Sequence, residues 1–271
     1  MKRLIFALLY DRGKFMLSRN FRLQAVGDVN WLFRNYDFAR VSHGIDELMV
    51  VNVSRGAHDT DRFCDTVQHI AEKCFIPMTV GGGIQDAELA RRFMRSGADK
   101  LLINTAFESD PQLCRELADL YGAQCIVAGV DYVRQEDSYS VVVGQGKTET
   151  SKKNLNDWMQ HLQQSGAGEI LLQSVENDGT GMGMDLGVLE HTDKTVELPL
   201  ILMGGIGRGE HIIEGLRHDS VDAVTTANLY NFIADAFLDV RVQLSDAAVE
   251  IPIWEKAVFK ALSKRFTASE S

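Results

Sequence analysis

Thr79-Val80-Gly81-Gly82-Gly83-Ile84 and Met203-Gly204-Gly205-Ile206-Gly207 stand at corresponding places in the two halves of the chain. Each begins in a short apolar run and passes through glycines into an amphipathic stretch, which is the pattern of a strand, a tight turn and a helix. Gly82 and Gly204 are 122 residues apart, as are Pro77 and Pro199, which open the two runs. The same distance separates Glu47 and Glu169, in Gly44-Ile45-Asp46-Glu47-Leu48 and Gly166-Ala167-Gly168-Glu169-Ile170. Three matches at one spacing indicate a duplicated unit.

Working outward from these loops, eight runs rich in Val, Ile and Leu occur: Leu4 to Leu9, Leu48 to Val53, Met78 to Val80, Leu101 to Ile103, Ile126 to Val130, Ile170 to Gln173, Leu200 to Met203 and Ala223 to Thr226. Their continuous hydrophobicity suits parallel strands buried on both faces. Between them lie helical patterns such as Ala87 to Ser96, Pro111 to Tyr121 and Asn156 to Ser165, closed by Gly97, Gly122 and Gly166. The expected fold is α/β: a single (β/α)8 TIM barrel with a two-fold half-barrel repeat. The barrel is expected to span residues 1–250, followed by a helical extension over 251–271. There Trp254, Val258, Ala261 and Leu262 form an apolar stripe flanked by Lys256, Lys260, Lys264 and Arg265.

The 271 residues carry 28 Lys and Arg against 38 Asp and Glu, a formal charge of −10. That balance argues against nucleic-acid partners, which are held by cationic side chains. It leaves small anions possible, because backbone N–H groups bind phosphate without net positive charge. At 45% hydrophobic and 24% charged residues, the chain is too apolar to be disordered. The four cysteines, Cys64, Cys74, Cys114 and Cys125, form no CxxC pair, which suits a reducing compartment. The apolar start Leu4 to Tyr10 is interrupted by Asp11-Arg12-Gly13-Lys14 and is too short for a membrane span. A cytoplasmic protein without membrane attachment is expected.

Each Gly-rich loop would hold one phosphate, at Gly82 and Gly83 in the first half and at Gly204 and Gly205 in the second. The glycines admit close approach, and the following helix presents free N–H groups. The next strand ends, Asn104-Thr105 and Ala227-Asn228, fall beside them, with 104 set against 226 by the repeat. Asp178-Gly179-Thr180-Gly181-Met182-Gly183 lacks the GxGxxG spacing of a dinucleotide site and reads as a loop in which Asp178 and Gly179 contact phosphate. The seven histidines show no HxH or HxxxH spacing, so neither a metal nor a cofactor is expected. His58-Asp59-Thr60-Asp61 reads as a solvated loop, with cation binding the lesser alternative.

These motifs, together with Gly97-Ala98-Asp99-Lys100 and Ile103-Asn104-Thr105-Ala106, resemble the cyclase subunit of imidazole glycerol phosphate synthase over Arg3 to about Phe232. The resemblance implies a heterodimer with a glutaminase subunit docked on the bottom of the barrel. Ammonia would pass through the barrel to a small-molecule substrate phosphorylated at both ends. It also implies two catalytic aspartates, at the ends of strands one and five. Asp131 matches the second, whereas the first falls on Leu9, both by the 122-residue offset and by alignment of the opening strand. Asp11 is the candidate replacement.

Leu17, Asn52, Gln173 and Met203 also differ from the family pattern at the substrate end. Arg3, Glu47, Lys100 and Glu169 match the four charges of its ammonia gate. An intact base beneath an altered top resembles a paralogue branch of this lyase and amidotransferase family. That branch accompanies a glutaminase and a sugar amidotransferase in making acetamidino sugars for surface polysaccharide. Two alternatives stand: an authentic cyclase of histidine biosynthesis, and a non-catalytic conduit that activates the glutaminase.

Overall fold

The computed structural model describes residues 1–56, 58–136, 138–143, 148–228, 231–232 and 236–252. Eight parallel strands close into a barrel: β1 (Arg3–Asp11), β4 (Glu47–Asn52), β5 (Met78–Gly81), β6 (Lys100–Ile103), β7 (Ile126–Gln135), β10 (Glu169–Ser174), β11 (Leu200–Met203) and β12 (Ala223–Thr226). Closure comes from β12 pairing with β1, and the β7–β10 pairing joins the two halves. The eight expected apolar runs are these eight strands. Two antiparallel hairpins continue outward from the barrel, β2 (Lys14–Arg19) with β3 (Arg22–Gly27) after β1, and β8 (Ser138–Val143) with β9 (Thr148–Asn154) after β7.

Alternation along each strand divides the core in two. Leu4, Phe6, Leu8 and Tyr10 of β1 belong to a large cluster shared with the helices. Ile5, Ala7 and Leu9 belong to a separate inner cluster with Met49, Val127, Leu171, Ile201, Met203 and Ala223. The lumen is therefore packed with apolar side chains through its middle.

The helices between strands start where the sequence supplies a cap. Asp86, Asp110 and Asn154 accept the backbone N–H groups of Leu89, Leu113 and Asp157 at 2.7, 3.1 and 2.8 Å. The helix Ala236–Asp246 is tied to the barrel base by Arg241, whose guanidinium donates to the Asp46 carboxylate at 2.7 and 3.2 Å. Asp46 in turn accepts the Leu4 N–H at 2.8 Å. Of the extension expected over 251–271, all but Ile251 and Pro252 lies outside the described residues.

The repeat needs one correction. Leu9 pairs with Val51 and Asp131 with Gln173, while Val51 pairs with Gly81 and Gln173 with Met203, all in keeping with a 122-residue offset. However, Gly81 pairs with Leu102 whereas Met203 pairs with Thr225, so the last strand runs at 123. The helices Ala87–Arg95 and Gly209–Arg217 still match at 122, so the extra residue sits in the turn that follows the second of them. The equivalent of Asn104 is therefore Ala227, not residue 226.

Candidate functional site

At the N-terminal end of the strands, β1, β4, β6 and β10 each contribute one charge at their first residue. Arg3 Nη1 bonds Glu47, and it lies 3.1 and 3.2 Å from the two Glu169 oxygens. Lys100 Nζ reaches Glu47 at 3.1 and 3.2 Å and Glu169 at 3.0 Å. Each cation thus touches both carboxylates, closing a neutral ring across the lumen. Burial alone would lower the Arg3 pKa, but the attraction of Glu47 and Glu169 outweighs it and holds the guanidinium above its usual value.

At the opposite end two cavities adjoin. The first, of about 200 Å³, is lined by Leu9, Asn52, Gly82, Gly83, Asn104, Thr105 and Asp131, among others. The second, of about 280 Å³, takes in Asp178, Gly179, Gly204, Gly205, Ala227 and Asn228. Ser18 and Met203 belong to both walls. The residues expected to hold two phosphates are thus gathered into two neighbouring sites at the C-terminal ends of the strands, where such barrels place their chemistry. Gly82 has a φ of 104°, and a Cβ there would meet the Asn52 carbonyl oxygen at 2.0 Å, so only glycine fits that turn.

Asp131 lines the first cavity at the C-terminal part of β7. It is 7% exposed and accepts a hydrogen bond from Asn104 Nδ2 at 3.1 Å. Burial pushes its carboxyl up to about 7, against the opposing Asn104 bond and with the help of the Asp178 charge. At neutral pH it can therefore both give and take a proton.

Leu9 occupies the position equivalent to Asp131, and its side chain is on the cavity wall. Asp11 lines neither cavity. There β1 has turned into its hairpin, where Asp11 pairs with Lys14 and its Oδ1 lies 3.6 Å from Arg12 Nε. Leu17 lines the second cavity, and Asn52 and Gln173 the first.

Three cations at these cavities escaped the reading of the sequence. Arg55, following β4, lines the first cavity, and Arg19 and Arg22 line the second. Arg19 and Arg22 face each other across the β2–β3 turn, and the missed signal was their i, i+3 spacing around Asn20-Phe21. Elsewhere, His58-Asp59-Thr60-Asp61 leads into the helix Thr60–Ala71, where Asp61 pairs with Arg92. Among the described residues no cluster of three or more His, Cys, Asp or Glu could hold a metal, and no helix is long and apolar enough to cross a membrane.

A family model described as histidine biosynthesis protein matches residues 22–233. The chain is 40% identical over 242 residues to a putative imidazole glycerol phosphate synthase subunit hisF2 of Parasynechococcus marenigrum, covering 89% of this chain and 90% of that protein. It is 34% identical over 269 residues to imidazole glycerol phosphate synthase subunit HisF of Methanocaldococcus jannaschii, covering 92% and 97%. It is 36% identical over 252 residues to the HisF subunit of Bacillus cereus, covering 92% and 98%.

Proposed function

The chain belongs to the histidine biosynthesis protein family, among relatives named as imidazole glycerol phosphate synthase subunits, and from that premise we propose that it is the synthase barrel of a glutamine amidotransferase. Ammonia arrives from a glutaminase subunit docked below the ring of Arg3, Glu47, Lys100 and Glu169. It crosses the apolar lumen and reacts above Asp131 with a phosphorylated small molecule held by the two glycine cradles. Gly82, Gly83, Asn104 and Thr105 hold one phosphate. Gly204, Gly205, Ala227 and Asn228 hold the other, beside Asp178 and Gly179.

The observation that carries this reading is the closed charge ring at one end of a lumen whose other end opens on Asp131 and both cradles. Buried charges are costly unless paired, and four of them at strand starts need a reason beyond stability. A ring that yields to pass a small neutral molecule supplies one.

The finer reading is that the chain is a diverged paralogue. It would deliver nitrogen toward acetamidino-sugar formation for surface polysaccharide, alongside a sugar amidotransferase. Its support is Leu9, which stands in register with Asp131 and cannot move a proton. Ring closure in histidine biosynthesis needs proton transfers from two sides of the substrate. The alternative, an authentic cyclase, is favoured by the coverage of the HisF relatives. A bare conduit leaves the buried, proton-exchanging Asp131 without a task.

The deciding experiment supplies the unmodified protein with ammonium and the histidine-pathway bis-phosphate substrate. Turnover should fall at least about 10²-fold below that of a two-carboxylate cyclase, the contribution of one general acid or base. A rate normal for the family, abolished by Asp11→Asn, would instead establish the histidine-pathway function.

A further inference from the structure

The β2–β3 hairpin turns through Asn20 and Phe21, two non-glycine residues with left-handed φ values of 48° and 58°. Such a turn persists only where its surroundings hold it. The holder is the loop after β10. Asp178 is 4% exposed, and its Oδ2 accepts from Ser18 Oγ at 2.5 Å and from the Phe21 N–H at 2.9 Å. Its backbone carbonyl accepts the Asn20 N–H at 2.9 Å, and Asn20 Nδ2 donates to the Glu176 carbonyl at 2.8 Å. The two segments lie so close that a Cβ on Gly179, itself at φ 67°, would sit 1.9 Å from the Ser18 carbonyl oxygen.

The turn held in this way carries Arg19 and Arg22, paired across the hairpin at its tip. They are the cations among the described residues lining the second cavity, whose other donors are neutral. A carboxylate in direct contact with a phosphate would repel it, so the buried Asp178 makes poor sense as a ligand. It makes good sense as the anchor of the two groups that attract one.

We infer that Asp178 is a positioning residue, latching the hairpin so that Arg19 and Arg22 complete the anion site at Gly204 and Gly205. The inference rests on the reading that this cradle binds phosphate. It assigns the recognition of one end of the substrate to the hairpin after β1, through a residue 160 positions away from Ser18 in the chain.

Both hydrogen bonds to the Asp178 side chain use one oxygen, which yields a discriminating pair of variants. Asp178→Asn keeps an acceptor oxygen for Ser18 and Phe21 and loses the charge, whereas Asp178→Ala loses both. Calorimetric titration with inorganic phosphate should show affinity at the second cradle falling about tenfold or more in Asp178→Ala, as expected for losing hydrogen bonds to a charged group. It should stay within about threefold of the parent, or rise, in Asp178→Asn, whose like charge beside the anion is gone. In an Arg19→Ala, Arg22→Ala background, Asp178→Ala should have no further effect. Hydrogen exchange across residues 15–27 should quicken in Asp178→Ala and not in Asp178→Asn. Should Asp178→Ala fail to fold, Ser18→Ala removes one of the two side-chain bonds and should give a smaller loss in the same direction.

Unchanged phosphate affinity and exchange in the variants lacking the latch bonds would overturn the inference. So would an equal loss of affinity in Asp178→Asn, which would make the charge itself the active feature. A parent protein that binds no phosphate sensitive to Arg19 and Arg22 would instead remove the cradle reading, and this inference with it.

Discussion

Replacing Asp131 by asparagine should make the protein more stable as the pH rises, relative to the parent. The carboxyl is pushed up to about 7, first by burial, then by the Asp178 charge, with the Asn104 hydrogen bond opposing both. Its unfolded value is about 3.9. A folded chain that holds this proton more tightly than the unfolded one is favoured fully below about pH 4, and that advantage is lost as the pH climbs through about 7. The interval is about three units at roughly 1.4 kcal/mol each, or about 4 kcal/mol. An asparagine cannot ionise, and its side-chain oxygen can still accept from Asn104. The difference in unfolding free energy, variant minus parent, should therefore grow by about 4 kcal/mol between pH 4 and pH 8, a large fraction of a typical folding margin. Urea unfolding of both proteins across that range measures it, and groups that titrate alike in the two cancel in the difference. Under the proposed function the same variant should also lose turnover, because an amide cannot exchange the proton that acid–base chemistry there would use. A stability difference that stays flat with pH, or shrinks as pH rises, would refute the placement of Asp131 as a buried carboxyl at the edge of ionisation.

Other expectations follow from the ends of the barrel. Lys100→Ala leaves Glu47 and Glu169 to Arg3 alone, and it should change the ratio of glutamine-driven to ammonium-driven turnover, a readout that the accompanying loss of stability does not by itself move. An unchanged ratio would reduce the ring to a structural closure. Crystals soaked in sulfate or phosphate should show density at both cradles, beside Gly83 with Asn104-Thr105 and beside Gly205 with Ala227-Asn228, and ordered loops without anions would count against the two-phosphate reading. Arg241→Ala should destabilise the fold by about 3–5 kcal/mol, because it removes the guanidinium that neutralises the buried Asp46 carboxylate. Thermal unfolding measures that loss, and a variant as stable as the parent would show that the pair is dispensable.

The barrel was legible in the sequence because its strands are apolar on both faces, the lumen side as well as the helix side, so each appears as an unbroken run. Leu9 opposite Asp131 was legible too, since β1 and β7 keep the 122-residue offset along their whole pairing with β4 and β10. Where a turn took an extra residue, the offset failed, and residue 226 rather than Ala227 was set against Asn104. The hairpin was invisible for a different reason. β3 reads Arg-Leu-Gln-Ala-Val-Gly and is largely exposed or half-buried, so it has none of the signal that marked the others. With it went Arg19 and Arg22, whose place at the second cavity follows from the fold of that hairpin. Asp11 stands off both cavity walls because counting by twos fixes which face of a strand a residue takes, not whether the strand is still in the barrel. The Arg241–Asp46 pair, 195 residues apart in the chain, left no local trace at all.

The contrast between an intact base and an altered top has a physical basis in how each end is built. In the ring every cation touches both carboxylates, so deleting one member leaves a buried charge uncompensated, a loss of several kcal/mol. It cannot be dismantled one residue at a time. Leu9, Asn52, Gln173 and Met203 instead line cavities open to a ligand, and a cavity wall tolerates an apolar or amide side chain as readily as an acid. For Asp131, burial even disfavours the ionised carboxylate in the folded chain. The cavity end can therefore change its residues without endangering the barrel, while the charge ring must be kept whole or lost together. A chain with four matched ring charges and Leu9 in place of one carboxyl is what these unequal penalties permit, and under the proposed function it is a barrel that receives ammonia with freedom in what it does with it.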